Sequence, residues 1–181
     1  QKANRLKLLI EDLFEISKAT SKTVQLHIVD VDIVSLLRQV KLELQDKIDA
    51  TDLSFRWQFP EEKVILPLDS QRTYRVFENL LVNITKYAMP HTRVYINMED
   101  TENHVKISMK NISATELTFN PSEITERFVR GDVSRNTEGS GLGLAIAKSF
   151  TELQGGRLEV FTDADLFTVE ITFLKTSKKT D

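Results

Sequence analysis

The 181-residue chain has no cysteine, which excludes a disulfide framework or a thiolate metal site and fits the reducing cytosol. It has no run approaching the ~20 apolar residues that cross a bilayer. It also lacks a strong charge of either sign: the formal net charge is -3, so nothing draws it globally toward nucleic acid. The first residue is Gln1 rather than methionine, so the chain reads as a piece of a longer one, with any anchor or targeting signal lying elsewhere. What remains is an ordinary globular composition, 40% hydrophobic and 28% charged. That length predicts one domain with an appendage.

The appendage comes first. Leu6, Leu9, Leu13 and Ile16 recur at spacings of three and four among Lys7, Glu11, Asp12 and Glu15, an a/d stripe on a helix over residues 4–18 that wants a partner helix. Polar residues 17–23 read as a connector and 24–31 as a β-prone run, after which Asp32 is placed to cap a helix carrying Ile33, Leu37, Val40, Leu44 and Ile48. Alternation of Leu53, Phe55, Trp57 and Phe59, then Val64 to Leu66, predicts two strands. Asp69 or Ser70 would cap a helix through Tyr74, Phe77, Leu80, Leu81 and Ile84 to about Ala88, closed by Pro90. Period-two strands follow over 94–98 and 105–109. Residues 111–138 read as a long loop with one helical turn near Glu123 to Phe128, a length usual for functional or mobile loops. A helix over 145–153 and strands over 157–161 and 167–173 complete the pattern, with a frayed lysine-rich end. Helices against one face of a mixed sheet make an α/β sandwich, and the order of elements excludes a doubly wound nucleotide fold.

Glycine is scarce, six in all, yet three stand in Gly139-Ser-Gly-Leu-Gly-Leu144, directly before the apolar helix. Such backbone approaches a neighbour closely and presents free amides, as a phosphate site requires, although plain connectors share the pattern. Asn79 and Asn83, four apart, stack their amides on one helix face, with Lys86 nearly in line. Neutral oxygen donors beside a cation suit a magnesium ion held largely by phosphates and water; the alternative is a polar surface stripe.

Together these segments are specific. Asn79-Leu-Leu-Val-Asn83-Ile-Thr-Lys86-Tyr87 resembles the N box, Glu126-Arg-Phe-Val-Arg130-Gly-Asp132 the F box and Gly139 to Leu144 the G2 box of bacterial sensor histidine kinases, in that family's order and spacing. Arg5 to Ala19 is similar to the second helix of the family's dimerisation hairpin. The resemblance implies an α+β, two-layer sandwich of the kind shared with gyrase, the heat-shock chaperones and MutL, with a mostly antiparallel mixed sheet. It divides the chain into the end of the dimerisation helix at 1–20, a catalytic ATP-binding domain at 21–176 with a lid over 112–138, and a tail at 177–181. It further implies ATP and Mg²⁺ as cofactors, Asn83 on the metal with Asn79 in support, Lys86 on a phosphate and Tyr87 near adenine. Gly139, Gly141, Leu142, Gly143 and Leu144 would meet the phosphates, and Arg127, Arg130 and Arg135 would close from the lid.

Gyrase-like members carry a glutamate base where this chain has Asn79, which takes up no proton at neutral pH, so phosphotransfer is favoured over ATP hydrolysis. Three positions depart from the family. Its Asp-x-Gly-x-Gly G1 box should begin near Asn111, but the chain reads Asn111-Ile-Ser-Ala-Thr-Glu116; Leu166 replaces a threonine that helps hold adenine; Thr125 replaces a phenylalanine. The phosphate half is therefore kept and the adenine half rewritten, with Asn111 as a substitute acceptor for the base. His27, His91 and His104 lack an H-box setting, which places the phosphoacceptor upstream of Gln1. The expected role is the catalytic domain of a sensor kinase, homodimeric and membrane-anchored in full length with this part cytoplasmic. Its partners would be its own phosphoacceptor hairpin and a cognate response regulator, with no nucleic acid. The alternatives are a degenerate scaffold that binds nucleotide poorly and a serine kinase antagonising a sigma factor.

Overall fold

A computed structural model describes residues 2–21, 24–117 and 142–175. The elements run α1 (Lys2–Thr20), β1 (Ile28–Asp32), α2 (Ile33–Glu43), α3 (Gln45–Asp49), β2 (Ser54–Gln58), β3 (Ile65–Asp69), α4 (Ser70–Tyr87), β4 (Arg93–Asp100), β5 (His104–Ile112), α5 (Gly143–Leu153), β6 (Arg157–Asp163) and β7 (Leu166–Leu174). The main sheet has the order β2-β4-β5-β7-β6, and β1 pairs with β3 in a separate two-stranded ribbon. Only β2 and β4 run parallel in the main sheet; its other pairings are antiparallel.

Period two decides which face is covered. Val94, Ile96 and Met98 of β4, Val105, Ile107 and Met109 of β5, and Val169, Ile171 and Phe173 of β7 are all buried, while the alternate residues turn to the open side. Against the covered face lie Val76, Phe77, Leu80, Leu81 and Ile84 of α4, Leu144, Ile146 and Phe150 of α5, and Leu37 and Val40 of α2. This is the two-layer α/β sandwich expected of the sequence. Edge strand β2 is held by an aromatic ladder, Phe55 stacked on Trp57 with centroids 5.4 Å apart, and Lys41 of α2 sits 4.9 Å over the Trp57 ring.

Several boundaries differ from the sequence pattern. The β-prone run becomes a strand only at Ile28, because its partner β3 ends at Asp69, which pairs with Ile28. The amphipathic stretch from Ile33 to Ile48 breaks at Leu44 (φ -93, ψ 5), which starts a second short helix and brings Ile48 into the core. The strands β2 and β3, adjacent in sequence, join different sheets. Helix α5 begins at Gly143, two residues early, and β6 reaches Asp163. The helical turn near Glu123 to Phe128 and the tail beyond Lys175 lie outside the described residues.

Helix α1 lies against the domain through Arg75 of α4, whose guanidinium reaches Asp12 at 3.0 Å and Glu15 at 3.6 Å while also pairing with Glu78 at 2.9 Å. Ile16 packs onto the core, whereas Leu6 and Leu13 of the stripe stay exposed. No described helix is long and apolar enough to cross a membrane.

Candidate functional site

The site begins with how α4 is started. The Asp69 carboxylate accepts from the backbone N–H of Arg72 (3.1 Å) and of His27 (2.9 Å) and pairs with the Arg72 guanidinium at 2.7 Å. Burial pushes this carboxyl up, but those donors and the Arg72 charge outweigh it and hold it below the ordinary carboxylate range. The Asp69 N–H in turn donates to Gln154 Oε1 (2.7 Å), just past the end of α5. Gln154 carried no signal in the sequence, since a lone amide after a helix is usually solvated.

From that tie the antiparallel course of the two helices follows. Asn79 is ten residues beyond Asp69 and Gly143 eleven before Gln154, about 15 and 16 Å at 1.5 Å per residue, so the two arrive side by side. A Cβ placed on Gly143 would lie 3.6 Å from Asn79 Oδ1, an ordinary contact. Gly143 is not a positive-φ residue, a conformation that among the described glycines belongs to Gly155. Its bareness provides space beside Asn79 rather than an unusual turn.

The Asn79 Nδ2 is buried and has no hydrogen-bond partner among the described residues. An orphaned buried amide costs about 1–3 kcal/mol, and such groups in folded proteins call for a functional explanation. Its neighbour is the start of α5, where Leu142 supplies no side-chain cap. The first amides of a helix have no intrahelical acceptor, which makes this an anion-accepting end. Leu142 and Leu144 turn their side chains into the core, so any ligand contact from them falls to the backbone. Asn83 is half-buried one turn beyond Asn79, Lys86 is exposed and Tyr87 half-buried.

The far end of α4 is fastened to the end of β5. Ala114 N donates to Tyr87 O (2.8 Å), Met89 N to Ile112 O (2.7 Å), and Ala88 bridges Ser113. This sets Asn111, 4% exposed on the covered face, beside the α4 terminus. Its Nδ2 donates to Ile112 O at 3.2 Å, and its strand partner is Phe167, with Leu166 opposite Ile112. Among the described residues no group of three or more His, Cys, Asp or Glu could hold a metal, so a cation here would rely on amide oxygens and on the ligand's own oxygens, which magnesium accepts. Gly139, Gly141, Arg127, Arg130 and Arg135 lie outside the described residues.

The model of the family described as "Histidine kinase-, DNA gyrase B-, and HSP90-like ATPase" matches residues 68–178. The sensor protein VanSC of Enterococcus gallinarum is 31% identical over 160 residues, covering 86% of this chain and 43% of that protein. The chain thus spans under half the length of that curated relative. Among solved structures, full-length ShkA in complex with AMPPNP superposes with a TM-score of 0.76 at 21% identity, over 97% of this chain and 37% of that one. The histidine kinase ThkA in complex with the response regulator protein TrrA gives 0.73 at 21% identity, over 98% of this chain and 49% of that one. These likenesses show the fold.

Proposed function

The chain belongs to the family of histidine kinase-, DNA gyrase B-, and HSP90-like ATPases, and on that premise we propose that it is the catalytic ATP-binding domain of a sensor histidine kinase. The observation that carries the reading is the Asn79 side chain, whose Nδ2 is buried without a partner among the described residues and whose Oδ1 lies beside Gly143 at the start of α5, where Leu142 supplies no side-chain cap. Bound Mg-ATP would supply the γ-phosphoryl group for transfer to a histidine outside this segment. Asn83 would hold the metal with support from Asn79, and the amides of Gly143 and Leu144 would take phosphate oxygens at the positive end of α5. Lys86 adds a point charge, Tyr87 flanks the base, and Arg127 and Arg130 would balance charge on the moving group. With an asparagine where hydrolases of the fold keep a carboxylate base, the domain orients a phosphoryl donor and leaves deprotonation of water unassisted.

In the longer protein, α1 continues a dimerisation and phosphoacceptor hairpin, the homodimer is anchored in the membrane with this domain in the cytoplasm, and a response regulator receives the phosphoryl group. Asn83→Ala in the full-length kinase is expected to abolish autophosphorylation; undiminished labelling would refute the assignment. A second reading, a signalling scaffold with little nucleotide affinity, draws on Asn111, whose amide already serves Ile112 O in the place of the family's aspartate. Calorimetry with millimolar Mg-ADP separates the two, because neither heat nor a thermal shift is expected of a scaffold.

A further inference from the structure

The open face of the sheet is divided electrostatically. Toward one end its charges are paired within the face: Lys106 with Glu170 at 3.8 Å and Arg157 with Glu159 at 3.8 Å. Toward the other end Arg56, Arg93 and Lys110 come together from β2, β4 and β5, and none has a carboxylate partner among the described residues. The register makes the grouping explicit: Arg56 lies opposite Tyr95, Tyr95 opposite Lys110, and Arg93 opposite Ser54. These residues, with Ser54 and Thr92, line a cleft of ≈ 570 Å³ whose described lining includes no Asp or Glu. The nearby Asp52 carboxylate lies 3.9 Å from His91 and pairs with none of the three cations. Ile112 and Leu166 give the cleft an apolar margin, and the Tyr95 ring is 41% exposed beside it.

Like charges brought together on a rigid sheet repel, and a chain of net charge -3 had acids available to neutralise them, as it did farther along the same face. The volume is that of a small-molecule pocket, for which the usual range is about 300–1,000 Å³. Arg56 and Lys110 stand two strands apart, about 10 Å at their Cα atoms, a spacing that their long side chains can span toward one ligand lying between them. Two planar guanidinium forks, an ammonium and the hydroxyls of Ser54 and Tyr95 offer donors in excess of what two carboxylates accept, the Thr92 hydroxyl being given to Met89 O, and three fixed charges match the about -3 to -4 carried by two phosphoryl groups.

We propose that this cleft, on the face of the sheet opposite the α4–α5 site, binds a small ligand carrying two or more phosphoryl groups, with Arg56, Arg93 and Lys110 as its anion-holding residues. The cleft also touches Asn111, which sits on the covered face at the base end of the nucleotide site, so independence of the two sites is part of what must be tested. The probe is sodium tripolyphosphate, titrated calorimetrically into the 181-residue chain without divalent metal, with citrate and a short polyglutamate peptide as parallel titrants. Saturable binding of tripolyphosphate is expected, at least tenfold tighter than citrate and weakening as salt is raised. Arg56→Gln and Arg93→Gln should each weaken it about tenfold and Lys110→Gln by less, with circular dichroism and the affinity for Mg-ADP unchanged within twofold. Equal binding by the triple variant would place the anion in the nucleotide site and overturn the proposal. So would absence of binding at millimolar probe, equal affinity for citrate, or capture of polyglutamate in preference to phosphate.

Discussion

Two asparagines, Asn79 in the middle of α4 and Asn111 of β5 beside its C-terminal end, illustrate how one residue type can be left open or closed by its surroundings. Asn79, beside Gly143, keeps a buried Nδ2 with no partner among the described residues, whereas the Nδ2 of Asn111, beside the far end of the helix, donates to the adjacent Ile112 carbonyl. The first arrangement costs stability unless a ligand completes it. The second has its Nδ2 given to the backbone, which leaves Oδ1 as the atom that can accept from a ligand. The phosphate half of the proposed site therefore has an open donor ready for an occupant, while in the base half the Nδ2 of Asn111 is already taken by the backbone, where the family resemblance implies an acid.

The sharpest break of that contrast is Asn79→Leu. Removing an orphaned amide should stabilise the free chain by about 1 kcal/mol, while the loss of its ligand contact weakens Mg-nucleotide binding about a hundredfold. Thermal unfolding with and without Mg-ADP reads both, and a fall in stability without ligand would show that the amide already has a structural partner. Next come the two glycines that bracket α5. A Cβ on Gly156 would sit 2.5 Å from Phe173 Cε1 in the core, so Gly156→Ala should cost about 1–3 kcal/mol by denaturant titration, whereas Gly143→Ala has room and should stay within about 0.5 kcal/mol. Equal losses at the two positions would mean that the space beside Asn79 is not free.

Asn111→Asp tests the other half. A carboxylate there restores the acceptor for a base's amino group, and nucleotide affinity should rise about tenfold, measured by competition with a fluorescent nucleotide. No change would show that adenine is held elsewhere. The smallest effect is one that both halves share, through the Asp69 anchor of α4. Its folded-state pKa is depressed, so its contribution is present above the unfolded value of about 3.9 and is lost as pH falls through the lower folded value. Stability should therefore drop below about pH 4 with both asparagines in place, and Asp69→Asn should flatten that limb of the profile.

How much of this was legible in the chain follows the range of the forces involved. Asp32 and Asp69 were identifiable as caps because an N-cap acts within three residues, and the structure has them accepting from the N–H groups of Val34, Ser35 and Arg72. The two-layer sandwich was legible for the same reason, since periods of 2 and 3.6 declare which side of each element is apolar. Leu44 gives no sign of a break in the sequence because its residue type fits the apolar stripe, and only its backbone angles end the helix.

The sequence by itself determined most of the elements, the capped starts of α2 and α4 and the shared face of Asn79 and Asn83, since caps and periodicity are local properties of neighbouring residues. Only the tertiary structure decided that Asn79 meets Gly143 across sixty-four positions of chain, that β2 lies parallel to β4 instead of pairing with β3, and that Arg56, Arg93 and Lys110 share one cleft. Those pairings are set by which apolar faces bury together, a choice made by the whole core at once and encoded in no single stretch of residues.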